Sequence, residues 1–284
     1  MLLNTSLGLS RGFLLSLTVA IVGMSSPIAA APAAAAPVAT PDYQVKLLLS
    51  DAAVDSNGQP SRFLTSKFEL GKYQGSEESV YIDTSDRFYG NQGWSIRLRH
   101  KEGAESYDVT FKKRAELGDN SLSQASVNRA LEIARDNNFD SSDDNYDAQV
   151  NASYATSTLD FSNKKEAKCI DKDCTLPHGA AAIDIAADLE PGKLQKATNT
   201  TLPEIAAITS TTVKQETWRI TIDGIKTDLE VSSFGGEHWV EISEEEDSRK
   251  DAANKRSQLM AALEGAGLLE HRDAFKTSAV FAAS

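Results

Sequence analysis

At least five segments of this chain alternate apolar and ionisable residues with period two, and their ionisable faces are sorted by sign. Successive side chains of a strand point to opposite faces of a sheet, so each such segment reads as a strand with one apolar and one charged side. In GWSIRLRHKEGAESYDVTFKKR (93–114), Trp94, Ile96 and Leu98 alternate with Ser95, Arg97 and Arg99, and Val109 and Phe111 alternate with Asp108, Thr110 and Lys112. That stretch predicts a hairpin with Arg97, Arg99 and Lys112 together on one face. IKTDLEVS (225–232) places Asp228 and Glu230 on one face, and HWVEISEE (238–245) places Glu241, Ser243 and Glu245 on one face opposite Val240 and Ile242. One solvated polar face is ordinary for an antiparallel sheet. Sorting by sign is not, and it fits a closed or nearly closed barrel with a polar interior, in which cations hold an anion and carboxylates hold a metal bridging to it. Closure also removes exposed sheet edges.

The remaining elements follow in order. DYQVKLLLS (42–50) reads as a strand with Asp42, Gln44 and Lys46 on its polar face, SVYID (79–83) as a short strand, and TTVKQETWRITID (211–223) as a strand with Gln215, Thr217 and Arg219 on one face. Asp223-Gly224 signals a hairpin turn. Residues 62–73 are ambiguous, 149–162 allow one strand, and 183–185 suggest the start of another. Residues 202–208 suggest a helical turn. Val127, Leu131 and Ala134 recur at helical spacing within 121–138, and a second helix is expected from a cap at Asp247 or Ser248 to Gly265 or Gly267, with Ala252, Leu259, Met260 and Leu263 inward. Residues 271–283 suggest a last strand carrying Lys276. The acidic run 136–147 reads as a surface loop.

Residues 1–39 are of another kind: Arg11, the apolar run 12–23 and a small-residue tract from 28 to 39. This is the pattern of a secretory signal peptide with a short pro-tract. It predicts a secreted or extracytoplasmic protein, off the membrane after cleavage, with residues 40–284 as a single domain. In an exported chain the two cysteines, Cys169 and Cys174, are expected to be bridged; a metal site is the competing reading, weakened by the lack of a neighbouring histidine pair. Asn151-Ala-Ser and Asn199-Thr-Thr match the glycosylation sequon. The net charge of −12 excludes a general nucleic-acid binder, which needs a basic surface. There is no P-loop, H-E-x-x-H or G-x-S-x-G. His100, His178, His238 and His271 are scattered, Trp94, Trp218 and Trp239 read as packing residues, and Lys113 and Arg114 read as rim charges.

Taken together, Asp42-x-Gln44-x-Lys46, Tyr81-Ile-Asp83-Thr84, Arg97-Leu-Arg99, Lys112 in VTFKKR and the KQETWRI…TDLEVSSFGGEHWVEISEEE block resemble, in order, the motifs of the CYTH domain, the triphosphate tunnel metalloenzyme family. The second half is most similar to its thiamine-triphosphatase branch. The resemblance implies an α+β fold built on a closed antiparallel barrel of eight strands, a tunnel flanked by helices, with an insert around 115–210 that carries the cysteines. It implies a small tri- or polyphosphate ligand held by Lys46, Arg97, Arg99, Lys112, Arg219 and Lys276. It also implies Mg²⁺ or Mn²⁺ held by Asp42, Asp228, Glu241 and Glu245, and divalent-metal-dependent hydrolysis of a phosphoanhydride. The chain departs from the family pattern at Asp42 and Gln44, where two glutamates are usual, at Gln215, where arginine is usual, and at Ser243, where a carboxylate is usual. Loss of those charges leaves anion binding without turnover as the alternative. A lipocalin-like exported barrel is a further alternative, which requires an apolar interior.

Overall fold

The alternation that marks the strands also decides which side of each becomes core. The computed structural model describes residues 39–118, 122–137, 139 and 146–284. The expected leader lies outside them except for residue 39, as does most of the acidic run. The strands are β1 (Asp42–Leu48), β2 (Glu69–Thr84), β3 (Trp94–Lys101), β4 (Ser106–Glu116), β5 (Asp147–Ala152), β6 (Ser157–Lys168), β7 (Ala207–Thr209), β8 (Val213–Ile222), β9 (Ile225–Phe234) and β10 (Glu237–Glu246). The helices are α1 (Arg62–Lys67), α2 (Phe88–Asn91), α3 (Gln124–Asp136), α4 (Gly179–Asp188), α5 (Gly192–Thr198), α6 (Arg249–Ala266) and α7 (Lys276–Ala282).

All ten strands form one sheet, ordered β3-β4-β6-β5-β1-β10-β9-β8-β2-β7, and β2 also pairs with β3. Nine strands therefore pair in a ring, and β7 lies outside it on β2. Neither the expected eight strands nor a wholly antiparallel order holds. Residues 149–162 hold parts of two strands rather than one, because Ser153 turns the chain with a hydrogen bond from its N–H to the Thr156 carbonyl. Asp42 to Val45 of β1 run parallel to Gln149 to Ala152 of β5. A parallel neighbour needs a long crossover, which β2, β3, β4 and α3 supply. Residues 147–168 of the segment expected as an insert are thus two strands of the ring.

Three other expectations are corrected. The strand expected over 79–83 is the last third of a 16-residue β2. Its first ten residues are largely exposed on both faces and pair with β8 through register shifts near Tyr73, so no apolar alternation announces them. Residues 183–185 are helical, within α4: Ala182 and Ala186 are its buried residues, four apart, and the two isoleucines mimic a strand only locally. The expected last strand is α7, held by Val280, which is fully buried.

Helices cover the outside of the ring. α6 packs on β1, β5 and β10 through Ala252, Leu259 and Leu263, and α3 packs on β4 and β6. Ser248 Oγ caps α6 by accepting from the Asp251 N–H at 3.1 Å, and Gly267 ends it at φ 69°. The large apolar cluster includes Val45, Leu47, Ile96, Leu98, Val109 and Ile242, all from the outward faces. A second cluster is different in kind. Tyr81, Val213, Phe234 and Trp239 share strand faces with Ser79, Gln215, Ser232 and Glu241, which turn inward, and they surround Val280 of α7. The interior of the ring is therefore filled by apolar side chains at one end. Asp223 (φ 47°) and Gly224 (φ 83°) both have the left-handed geometry of the tight turn joining β8 to β9.

Cys169 and Cys174 are bonded to each other as expected. Asn151, the first sequon asparagine, is buried in the ring wall; Asn199 is exposed. Among the described residues, no helix is long and apolar enough to cross a membrane.

Candidate functional site

Inside the ring lies a cavity of about 730 Å³, lined mainly by the polar faces of its strands, with Leu47, Leu48, Ala148, Ala274 and Phe275 as apolar lining. Lys46, Arg97, Arg99, Lys112 and Lys276 all reach it, as do Asp42, Asp228, Glu241 and Glu245. Arg219 does not line it. That side chain pairs instead with Asp228 across β8 and β9 at 3.2 Å. No histidine lines the cavity. The lining is sorted as the sequence indicates: β3 and β4 present Arg97, Arg99, Lys112 and Arg114, and the opposite side, β9 and β10, presents Asp228, Glu230, Glu241 and Glu245.

The cation wall is held from behind by buried acid. Asp160 on β6 is fully buried. Its two carboxylate oxygens accept from Arg114 Nε and Nη2, each at 2.8 Å, and Lys112 Nζ lies 3.3 Å from Oδ2. Burial opposes the charge on Asp160, but Arg114 and Lys112 outweigh it and hold the carboxyl below the usual aspartate range. Arg99 is likewise engaged, donating to Asp108 Oδ2 through Nε at 3.2 Å and Nη2 at 2.6 Å, and to Glu77 at 3.1 Å. Arg97 stands between these groups. Its neighbours across the sheet are Tyr81 and Thr110, and among the described residues its side chain has neither a carboxylate partner nor a hydrogen bond.

Lys112 registers this excess of positive charge. Burial lowers its affinity for a proton, Asp160 opposes the change, and Arg114, Arg97 and Lys46 add to it, bringing the pKa to about 8. An anion seated among these cations favours the protonated form. Binding of tripolyphosphate is therefore expected to take up a fraction of a proton near pH 8, and the affinity to fall as pH rises through that value and Lys112 loses its charge. Calorimetry in two buffers of different ionisation enthalpy measures the uptake. Comparison with Lys112→Arg, which does not titrate there, separates Lys112 from the ligand's own protons. Equal uptake by both proteins would remove Lys112 from the site.

The carboxylate wall is engaged to the same degree. Glu241 Oε1 lies 3.0 Å from both Lys46 Nζ and Lys276 Nζ, and Oε2 accepts from Trp239 Nε1 at 2.8 Å. Glu230 lies 3.6 Å from Lys46 and 3.8 Å from Lys276. Burial raises Glu241's pKa, but the two ammonium groups outweigh it and hold the carboxyl well below the glutamate range; Glu230, buried beside Glu241 and farther from the lysines, is raised. Burial opposes the charge on Lys46 too, yet Glu230 and Glu241 keep its ammonium above the ordinary lysine range. Lys276 also donates to Gln215 Oε1 at 2.8 Å and Ser232 Oγ at 3.0 Å. Gln44 Nε2 donates to Ser243 Oγ at 2.8 Å, so two of the positions expected to hold family carboxylates bond to each other as a neutral pair. Asp42 and Glu245 stand exposed at the end of the cavity away from the apolar cluster.

These contacts bear on the expected Mg²⁺ or Mn²⁺. Such an ion takes about six oxygens, which Mg²⁺ meets with waters and substrate phosphates beside one or two free protein carboxylates. Glu241 has both oxygens engaged, Asp228 is turned to Arg219, and Asp42 and Glu245 lie toward the rim. No group of three or more potential ligands forms among the described residues. The donor set as arranged does not fit a divalent cation.

Asp83, from the Tyr81-Ile-Asp83-Thr84 motif, serves its own turn. It accepts from the backbone N–H of Thr84, Tyr89 and Gly90 at 2.8, 2.9 and 3.0 Å and from Arg87 Nε at 3.0 Å. A Cβ on Gly90 would lie 2.8 Å from Arg87 Nη2 and 3.1 Å from Asp83 Oδ2, so a larger residue there would displace the Arg87 side chain from this turn. Three groups of the site are not among the residues expected there. Arg114, expected at the rim, shares a face with Thr110 and Lys112 and lines the cavity; that parity is legible. Asp160 alternates with Leu159 and Phe161, yet nothing local marks its partners. Trp239 shares the inward face with Glu241, in place of the expected outward packing.

No family model matches the chain, and no curated protein matches it. Several solved structures are similar in chain course. A candidate adenylate cyclase from Bacillus halodurans is 12% identical with a TM-score of 0.45, the match covering 85% of this chain and 97% of that one. A candidate adenylyl cyclase from Hippeastrum, described as revealing a dominant triphosphatase activity, is 15% identical with a TM-score of 0.43, covering 84% and 94%. A candidate adenylate cyclase from Vibrio parahaemolyticus is 13% identical with a TM-score of 0.41, covering 85% and 99%.

Proposed function

We propose that the protein binds a compact polyanion of the tri- or polyphosphate class inside a closed, CYTH-like barrel, against the wall formed by Arg97, Arg99, Lys112 and Arg114. The observation that carries this reading is Arg97: an enclosed guanidinium without a carboxylate partner, in a wall whose other cations are already paired. Its charge is compensated only when an anion occupies the cavity. An extended phosphate chain presents repeated oxygens to several donors at once and gains from bidentate guanidinium contacts. The order of the sequence motifs supports the same ligand class. The polar lining disfavours a lipocalin-like carrier of apolar molecules, which requires an apolar interior. Binding rather than turnover is the activity the residues support, because Glu241 is held by two lysines and a tryptophan and no histidine lines the cavity. The apolar segment near the N-terminus and the Cys169–Cys174 bridge together support export to an oxidising compartment.

Titration calorimetry with tripolyphosphate, pyrophosphate and orthophosphate tests the proposal. Affinity is expected to fall about tenfold with each phosphate removed, as one charge-assisted contact is lost each time. Equal affinity for all three, or none for tripolyphosphate, would sink it.

A further inference from the structure

On the carboxylate side of the cavity two lysines converge on one glutamate. Lys46 arrives from β1 and Lys276 from the first turn of α7, and both end 3.0 Å from the same oxygen of Glu241. Glu230 lies beyond them at 3.6 and 3.8 Å, and Gln215 and Ser232 fix Lys276 from the side. The two ammonium groups and the two glutamates thus form one buried cluster. Farther along the wall, the neutral Gln44–Ser243 pair occupies a place where carboxylates would be needed to hold a cation. Two ammonium groups carry the charge of one divalent ion.

We infer that the site takes up its polyanion without a divalent cation, with Lys46 and Lys276 as built-in counter-charges held in place by Glu241 and Glu230. This rests on the polyanion reading above. The lysines can turn donors toward a phosphate oxygen while keeping one bond to the carboxylate, since an ammonium has three donors. Glu241 is in this arrangement a positioning residue for two lysines.

The test is calorimetry of the purified full chain with tripolyphosphate, in EDTA and in excess Mg²⁺. Comparable affinity in both, or weaker affinity in Mg²⁺ because the ion complexes the free ligand, supports the inference. Binding seen only with Mg²⁺ overturns it and leaves the polyanion reading standing. Binding in neither buffer overturns both. Two variants sharpen the result. Lys276→Met is expected to weaken binding in EDTA about tenfold, the loss of one charged contact. Glu241→Gln leaves a single amide oxygen to accept from the lysines and gives Trp239 Nε1 no acceptor. Because Glu241 holds no metal, its effect on affinity relative to the native chain is expected to be the same, within about threefold, in EDTA and in Mg²⁺. A metal ligand at that position would instead lose affinity in Mg²⁺ alone, and that outcome overturns the inference.

Discussion

Replacing Arg97 by alanine is expected to weaken tripolyphosphate binding about a hundredfold while leaving the melting temperature almost unchanged. The two halves of this expectation have one cause. Arg99 and Arg114 have carboxylate partners in the folded chain, so truncating either removes native ion pairs as well as ligand contacts. Arg97 has none among the described residues. Its removal deletes no native bond and relieves repulsion on Lys112, where it is one of the cations that lower the pKa. A side chain that contributes nothing to the resting fold yet dominates affinity is the mark of a ligand-binding group. Calorimetry and a thermal melt on the same preparation check both halves. Unchanged affinity would remove the wall from the site, and a large fall in melting temperature would make Arg97 a structural residue.

Asp160→Asn is expected to have the opposite balance: severe loss of stability, about 3–5 kcal/mol, because a buried carboxylate is withdrawn from a bidentate arginine and a lysine that remain buried. For a domain of this size that corresponds to a fall in melting temperature of about 10 °C. Tripolyphosphate should restore part of it, since an anion in the cavity compensates Lys112 and Arg114 from the other side. A fall below about 3 °C would show that the pairing is not structural. The same bond predicts acid lability. Asp160's pKa is lower in the folded chain than its unfolded value of about 3.9, so its stabilisation is complete above that value and is lost as pH falls below it.

Much of the site is legible in the sequence because strand parity is local. Lys46, Arg97, Arg99, Lys112, Asp228 and Glu241 each announce their face through apolar neighbours one residue away, and the structure brings all six to one cavity. Lys276 is expected there on a strand; it arrives on a helix, and its long side chain still reaches Glu241. Arg219 shares the parity of its strand and pairs with Asp228 but does not itself line the cavity, since parity sets a face and not a height along the ring. The first ten residues of β2 carry no such signal because both of their faces meet solvent. The parallel seam of β1 and β5 joins residues about a hundred positions apart, which no local pattern encodes.

The sequence by itself determined the sign-sorted strand faces, the ends of α6 to within two residues, the turn at Asp223-Gly224 and most of the cations that line the cavity, because each depends on neighbours within a few residues. Only the tertiary structure decided which charges are spent on one another. It paired Asp160 with Arg114, seated Lys46 and Lys276 on Glu241, joined Gln44 to Ser243 and left Arg97 alone. Those outcomes depend on distances of a few ångströms between strands far apart in the chain, and over such distances, away from water, charges interact strongly.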